Sequence, residues 1–470
     1  MIMRYRSTRG PVSPEKSLDF SDILLKGLAP DGGLYLPVKW PEISKADFQQ
    51  WRTYSFPKLC AKVMQLFAGS AIEPQALEQM CERAYGASSL FRHKAVAPLV
   101  EVKPALFSLE LFHGPTLAFK DMAMQLLGEL FAYVLEKKQQ HITLIAATSG
   151  DTGSAAIAAF QNRPRIKLVV LHPHHRTSDI QRRQMTTVSA ENILNIAVPG
   201  NFDICQDIVK KLLKDQKFRE ETALSAVNSI NWARIAIQTA YFIRAALVLG
   251  APERRVSFSV PTGNFGNVFA AWVAKKMGLE VSKLVIGSNQ NDILTRFIQT
   301  GEMKVHSVSP SYSPSMDIQY SSNFERLLFE SLEEDPENCR KLMETFQETG
   351  SMILPPQAFA FIRKDFEALA LSDFQTLEAI RKYDAESHYL ADPHSVIALS
   401  AGEKYQSLGE AMICAATAHP AKFPQTMAKA CRQSAILPDQ LVGLEEKKEF
   451  FKILPPDFEI IRQEIKNFSF

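Results

Sequence analysis

Several short stretches of this chain carry side chains whose types and spacing could do chemistry. Lys120 opens a helical pattern, with Phe119 and Met122 close by and Asp121 beside it. A helix N-terminus repels a cation and apolar neighbours penalise charge, so the amine would be pushed toward its neutral form. Schiff-base formation needs that form, although a lysine at such a place is more often a solvated charge. Thr148-Ser149-Gly150-Asp151-Thr152-Gly153-Ser154 packs two glycines and four hydroxyls into a turn between a strand and a helix. Such a turn offers N–H and O–H donors to a carboxylate or phosphate, and its composition is also that of an ordinary helix cap. Pro261-Thr262-Gly263-Asn264-Phe265-Gly266-Asn267 joins the apolar run Val256–Val260 to a helical pattern from Val268 to Met277. Its glycines let amides turn toward one point, and the helix start adds partial positive charge, so a phosphate is the natural guest. No Gly-Lys-Ser/Thr follows and the pattern is not Gly-x-Gly-x-x-Gly, so neither common nucleotide loop is present; a plain tight turn would read the same way.

Histidines mark three further places. His172, His174 and His175 cluster with Arg176 around Pro173. Metal sites draw on further ligands elsewhere, so a cationic patch facing an anion is the better reading, with the Arg176 fork its best donor. His394, behind Asp392-Pro393, and His419, before Pro420, read as packed loop histidines. Thr417 ends an apolar run, and its hydroxyl needs a buried partner, either a ring nitrogen or a backbone carbonyl.

The elements that must hold these residues alternate. Strand patterns at Phe107–Phe112, Ile142–Ala147, Ile166–Leu171, Ile193–Val198, Ala223–Val227 and Val256–Val260 are separated by helical ones. That order predicts parallel sheets with helices on both faces, with ligands in the loops at the carboxyl ends of the strands. Those loops are 113–121, 148–154, 172–178, 228–231, 261–267 and 288–292. At 470 residues, with 46% hydrophobic and 22% charged, the chain can bury a large core in about two or three domains. Lys plus Arg is 53 against 51 Asp plus Glu, so nothing favours nucleic acid or an anionic membrane as partner. Six cysteines without a CxxC pair predict reduced thiols and no metal site, hence a cytoplasmic protein. The most apolar stretch, Trp232–Leu249, is broken by Arg234, Gln238 and Arg244 and reads as a buried helix.

Together these stretches closely resemble the threonine synthases, pyridoxal-phosphate enzymes of fold type II, over nearly the whole chain. The resemblance rests on Tyr5-Arg6-Ser7-Thr8-Arg9-Gly10, Leu28 to Tyr35, His113-Gly114-Pro115-Thr116-Leu117-Ala118-Phe119-Lys120-Asp121 and Thr148 to Gly153. It continues through Asn228 to Arg234, Gly263 to Asn267, Asp392-Pro393-His394 and Thr417 to Phe423, in the family's order. It implies two open, mostly parallel sheet domains with flanking helices and an N-terminal subdomain. The segments would be 1–95, a smaller domain at 96–225 with the Schiff-base lysine, and a large domain at 226–470 with the phosphate loop. Lys120 would hold pyridoxal 5'-phosphate, Gly263, Asn264, Phe265, Gly266 and Asn267 would cradle its phosphate, and Thr417 would meet the pyridine nitrogen. A hydroxyl does not keep that nitrogen protonated as a carboxylate does, which suits elimination better than transamination.

The implied reaction turns O-phospho-L-homoserine and water into L-threonine and phosphate, the last step of threonine biosynthesis. Lys120, released by the substrate's amine, would remove the α-proton and then a β-proton; phosphate would leave the γ-carbon, which would then be reprotonated, and water would add at the β-carbon. A second anion site is then required, for which Thr148, Ser149, Asp151, Thr152, Ser154, Arg176, Asn231 and Arg234 are the candidates. His175 stands where many relatives carry glycine, and Asp151 where the wider fold often has asparagine. The alternatives are another lyase of the fold, such as a threonine dehydratase, and a silent binder of phosphorylated ligands. The dehydratase needs only one anion site, and the silent binder has no need of Lys120. A monomer or homodimer is expected.

Overall fold

The computed structural model describes residues 2–10, 18–431 and 435–470. β1 (Tyr5–Ser7) pairs antiparallel with β2 (Tyr35–Pro37), and β3 (Leu99–Lys103) and β4 (Leu106–Glu110) follow. Strand and helix then alternate through β5 (Ile142–Ala147), β6 (Ile166–Pro173), β7 (Ile193–Val198), β8 (Leu224–Ala226), β9 (Val256–Pro261) and β10 (Val281–Ser288). β11 (Glu302–Lys304) pairs with β12 (Ser351–Ile353), and β13 (Phe366–Ala370), β14 (Ala411–Ala416) and β15 (Lys452–Ile453) complete the strands. β5, β6 and β14 are largely apolar runs, as strands covered on both faces must be, and β9 is buried along its whole length although it alternates with Ser257 and Ser259.

Two compact units result, each with its own parallel sheet. The first holds Met1–Ile23, Leu28–His113 and Ser229–Ile436; the second holds Leu24–Gly27, Gly114–Asn228 and Leu437–Phe470. The first unit's sheet runs β13-β10-β9-β14-β4-β3, parallel except for β3 on the edge. The second unit's sheet runs β15-β7-β6-β5-β8 and is parallel throughout.

The units interleave segments that the sequence reads as consecutive. β4 lies parallel to β14 with Leu106 opposite Met412, which builds 99–110 into the first unit rather than into a domain beginning at 96. β15 extends the second sheet beside β7, and the helix Phe458–Phe468 buries Ile461 and Ile465 among Cys205, Leu212 and Phe218. That apolar burial draws the C-terminal segment away from the 226–470 stretch. The Ser225 hydroxyl, donating 3.0 Å to the Leu25 carbonyl, fixes Leu24–Gly27 to the same unit.

In the first unit the helix Trp232–Val248 is buried on nearly every side, and Trp232 meets Tyr5, Trp40 and Phe67 at ring separations of 5.5–6.3 Å. The N-terminal strand is clamped onto the helix Phe324–Ser331 by one carboxylate. Glu325 accepts from the Thr8 hydroxyl at 2.6 Å and from two Arg9 nitrogens at 2.9 and 2.7 Å. Both ends of this pair are buried, so removing one strands the other. Glu325→Ala is expected to lower the urea-unfolding free energy of this unit by about 3 kcal/mol. A loss below about 1 kcal/mol, the range of an exposed pair, would show the clamp to be incidental.

Candidate active site

In the first unit the carboxyl ends of β9 and β14 open side by side. Cys414 pairs with Ser259, so Thr417 and Thr262 leave the sheet at the same level, three residues on. The turn after β9 passes through Phe265 with φ +64, a left-handed conformation unusual for an aromatic residue, and the helix Gly266–Lys276 starts there. Phe265 is held by Phe324 and Phe366 at ring separations of 5.5 and 5.8 Å. The loop's carbonyls are engaged: Ser321 Oγ donates to Gly263 at 2.6 Å, and Asn323 Nδ2 donates to Asn264 at 2.9 Å. The amides of Gly263, Asn264, Phe265, Gly266 and Asn267 donate to no acceptor among the described residues. A Cβ at Gly263 would stand 2.8 Å from the Ser315 carbonyl oxygen, so only glycine fits beneath the 313–316 turn. Asn267 is buried; Tyr241 Oη lies 2.5 Å from its Oδ1, and its Nδ2 has no partner. The Thr417 hydroxyl is likewise uncommitted, while its amide donates 2.9 Å to Ser395 Oγ.

Two of the expected anion-site residues belong to this unit. Asn231 caps the helix Trp232–Val248, accepting from the Ala233 amide at 3.0 Å. Arg234, one turn on, is buried with Nε and Nη1 unpartnered. Burial holds its guanidinium down to about 10 from the usual 12.5.

In the second unit Lys120 is the first residue of the helix Lys120–Lys138 and half-buried. It is not the isolated cation that its position suggests: Asp151 Oδ2 stands 3.6 Å from Nζ, and Gln181 donates 2.9 Å to the other Asp151 oxygen. Asp121, fully buried, braces the preceding turn by accepting from the Thr116 amide at 2.8 Å and hydroxyl at 2.7 Å. A Cβ at Gly114 would lie 2.4 Å from that of Asp121, which explains the glycine in the turn.

The 148–154 turn sorts its four hydroxyls into two kinds. Thr148 Oγ1 accepts from the amides of Gly150 and Gly153 at 2.9 Å each, and Ser154 Oγ donates to the Gly150 carbonyl at 3.2 Å. These shape the helix start. Ser149, exposed, and Thr152, half-buried, have hydroxyls with no bond among the described residues. The histidine patch requires correction. His172 is 1% exposed, its ring nitrogens have no partner, and burial pushes its pKa down to about 4, so it is neutral and faces the core beside Phe451. Arg176 remains exposed, and His175 takes a left-handed φ of +58, the conformation a glycine would adopt more easily. No group of three or more potential metal ligands occurs among the described residues, and none of their helices is long and apolar enough to cross a membrane.

Sequence reasoning gave no role to Asp392 and Ser395 and passed over Asn323 and Arg326. Asn323 offers only the mild signal of a polar residue before a helix. Its side chain spans to the Ser229 carbonyl at 3.1 Å as well as to Asn264. In the sequence Asp392 and Ser395 only flank His394, which reads as a packed loop residue.

Residues 4–85 match the family described as "Threonine synthase N terminus", 82–344 "Pyridoxal-phosphate dependent enzyme" and 395–465 "Threonine synthase, C-terminal". A threonine synthase from Pseudomonas aeruginosa is 46% identical over 96% of both chains. The chain belongs to the threonine synthase family. Its fold agrees: a PLP-bound threonine synthase from Brucella melitensis superposes with a TM-score of 0.95 at 44% identity over 99% of both chains. The yeast threonine synthase gives 0.92 at 36% identity, covering 99% of this chain and 98% of that one.

The cofactor of such a family fits what the first unit offers. Five loop amides without acceptors, the orphaned Asn267 Nδ2 and a glycine floor suit a phosphate, and the neutral Thr417 hydroxyl suits a ring nitrogen. Two outcomes follow from the buried groups. A buried cation without an acceptor is a liability in the cofactor-free protein, so Arg234→Met is expected to stabilise that form by about 2 kcal/mol while activity falls. The Arg234 penalty is present at every pH below about 10 and fades as pH rises from there toward 12.5. Destabilisation in thermal melts of the apoprotein would mean that Arg234 is already satisfied. His172 binds its proton only in the unfolded chain between pH 6.5 and about 4, so the second unit loses stability as pH falls through that window. His172→Leu should flatten that acid loss; an unchanged pH profile would count against it.

Proposed function

We propose that the protein converts O-phospho-L-homoserine and water into L-threonine and phosphate. The reading rests on one observation above others: donors stand uncommitted in two sets, the amides of the 263–267 loop and, beyond them, Arg234 in the first unit with Ser149 and Thr152 in the second. One set serves the phosphate of the cofactor, and the other serves an anionic substrate. A dehydratase acting on an unphosphorylated amino acid offers the second set a carboxylate only, with no second phosphate to bind.

Bound at this site, pyridoxal phosphate supplies the electron sink that acidifies the carbons beside the substrate's amine. The remaining work falls to side chains of this chain. Lys120 holds the cofactor and then carries protons from the substrate's α- and β-carbons. Asp151, itself fixed by Gln181, keeps Lys120 Nζ within 3.6 Å and so limits where that nitrogen can point. Gly263, Asn264, Phe265, Gly266 and Asn267 bind the cofactor's phosphate, and Thr417 meets its pyridine nitrogen. Ser149, Thr152, Arg176, Asn231 and Arg234 receive the substrate's phosphate and carboxylate. Thr148 and Ser154, spent on the helix start, support this set without contacting the substrate. The six cysteines are free thiols, five of them buried, which suits a reducing compartment such as the cytoplasm.

Phosphate and threonine are expected in a one-to-one ratio from the cofactor-loaded protein given O-phospho-L-homoserine. Lys120→Ala should lower both by about a thousandfold or more. Oxo-acid from threonine with no phosphate from the phosphorylated substrate would shift the assignment to a dehydratase. Neither product, together with failure to take up the cofactor, would leave a silent binder.

A further inference from the structure

Asp392 is fully buried at the start of the helix Ser395–Tyr405, and both of its oxygens are used. Oδ1 accepts from the His394 amide at 2.9 Å and faces His394 Nδ1 at 2.8 Å. Oδ2 accepts from the Ser395 amide at 3.2 Å and, at closer range, from the Ser395 hydroxyl. Helix capping alone needs the two amides only. The two side chains reach further. With its O–H donated to Asp392, Ser395 Oγ presents a lone pair, and the Thr417 amide donates to it at 2.9 Å. His394 Nε2 accepts from the Ser315 amide at 3.3 Å, which assigns the ring proton to Nδ1, toward Asp392. Ser315 is the residue whose carbonyl oxygen would lie 2.8 Å from a Cβ at Gly263. One carboxylate therefore sits at the root of two chains of hydrogen bonds, one ending at Thr417 and the other at the turn packed on Gly263.

We propose that Asp392 is a positioning residue that sets both arms of the cofactor site in the first unit: Ser395 relays it to Thr417, and His394 relays it to the Ser313–Met316 turn over the phosphate loop. The proposal rests on the reading of Thr417 as the group facing the pyridine nitrogen. Its backbone amide is held 2.9 Å from Ser395, so the hydroxyl is aimed by a fixed main chain rather than by its own rotamer alone. Neither His394 nor Ser395 is a catalytic residue in this scheme, because each acts through another group.

A double-mutant cycle separates this role from simple helix capping. Thr417→Val should lower kcat for phosphate release and shift the absorption band of the bound cofactor. Ser395→Ala should move the band in the same direction and lower kcat about tenfold, as expected for one lost buried hydrogen bond. In the Thr417→Val background the same change should alter kcat less than about twofold, since nothing remains to be aimed. His394→Asn keeps a donor for Asp392 but gives up the acceptor for Ser315. It should weaken cofactor binding about tenfold in equilibrium dialysis while leaving the band in place. Ser395→Ala lowering kcat by one factor in both backgrounds, or leaving the band unmoved, would overturn the Thr417 arm. His394→Asn with unchanged cofactor affinity would overturn the phosphate-loop arm. If Thr417→Val itself changed neither band nor kcat, the Thr417 assignment would fall, and with it the arm built on it.

Discussion

A guanidinium buried with no exposed surface dictates the layout of the first unit. Arg326 can remain there only if its N–H groups find acceptors, since an unmet buried donor on a charged group is expensive. Nε donates to the Tyr35 carbonyl at 3.0 Å, Nη2 to the Ile230 carbonyl at 2.7 Å, and Nη1 to Asn323 Oδ1 at closer range. Burial presses its pKa down to about 9, a measure of how much the surroundings must compensate. Three segments far apart in the chain must therefore meet at one side chain: the N-terminal hairpin, the entry to the helix capped by Asn231, and the turn before Phe324. Asn323 then turns its other end on the Asn264 carbonyl, so the same buried charge reaches the loop after β9.

That reach decides what the loop can do. In a trans peptide the carbonyl of one residue and the amide of the next point in opposite directions. Anchoring the Gly263 and Asn264 carbonyls on Ser321 and Asn323 consequently aims the amides of Asn264 and Phe265 away from the protein's own acceptors. The helix start at Gly266 adds amides that have no partner by geometry. An anion site here needs no positive side chain; it needs carbonyls tied down on one side and nothing offered on the other. The left-handed Phe265 is tolerated because two aromatic rings hold it in place.

What the sequence makes legible follows from how local each determinant is. β5, β7 and the helix Asp151–Phe160 begin and end where apolar pattern and glycine turn place them, because short-range sterics and burial decide those boundaries. The 261–267 loop is readable for the same reason, as strand, turn and helix are contiguous. The path of β4 is not: its parallel pairing with β14 joins residues about three hundred positions apart, and no local pattern encodes it. Non-locality also hides the histidines. His172 and Arg176 look like one patch in the chain, but β6 carries His172 inward against Phe451, which arrives from the C-terminal segment. His394 looks like a packed loop residue because its acceptor role depends on Ser315, 79 residues away, and Ser395 acquires meaning only from Thr417, 22 residues away.

The uncommitted groups share one energetic property. Arg234 Nε and Nη1 and Asn267 Nδ2 are buried donors without acceptors. A fold selected for stability alone would fill such positions with apolar side chains of similar volume. Keeping them costs stability in the cofactor-free protein, a cost that an acceptor bound there would offset. Thr148 and Ser154 show the opposite choice within a single turn. Their hydroxyls are consumed by the backbone so that Ser149 and Thr152 can stay free without the turn unwinding. Where the chain spends a polar group on itself and where it leaves one unspent thus separates the hydroxyls that shape the turn from those left open to a ligand.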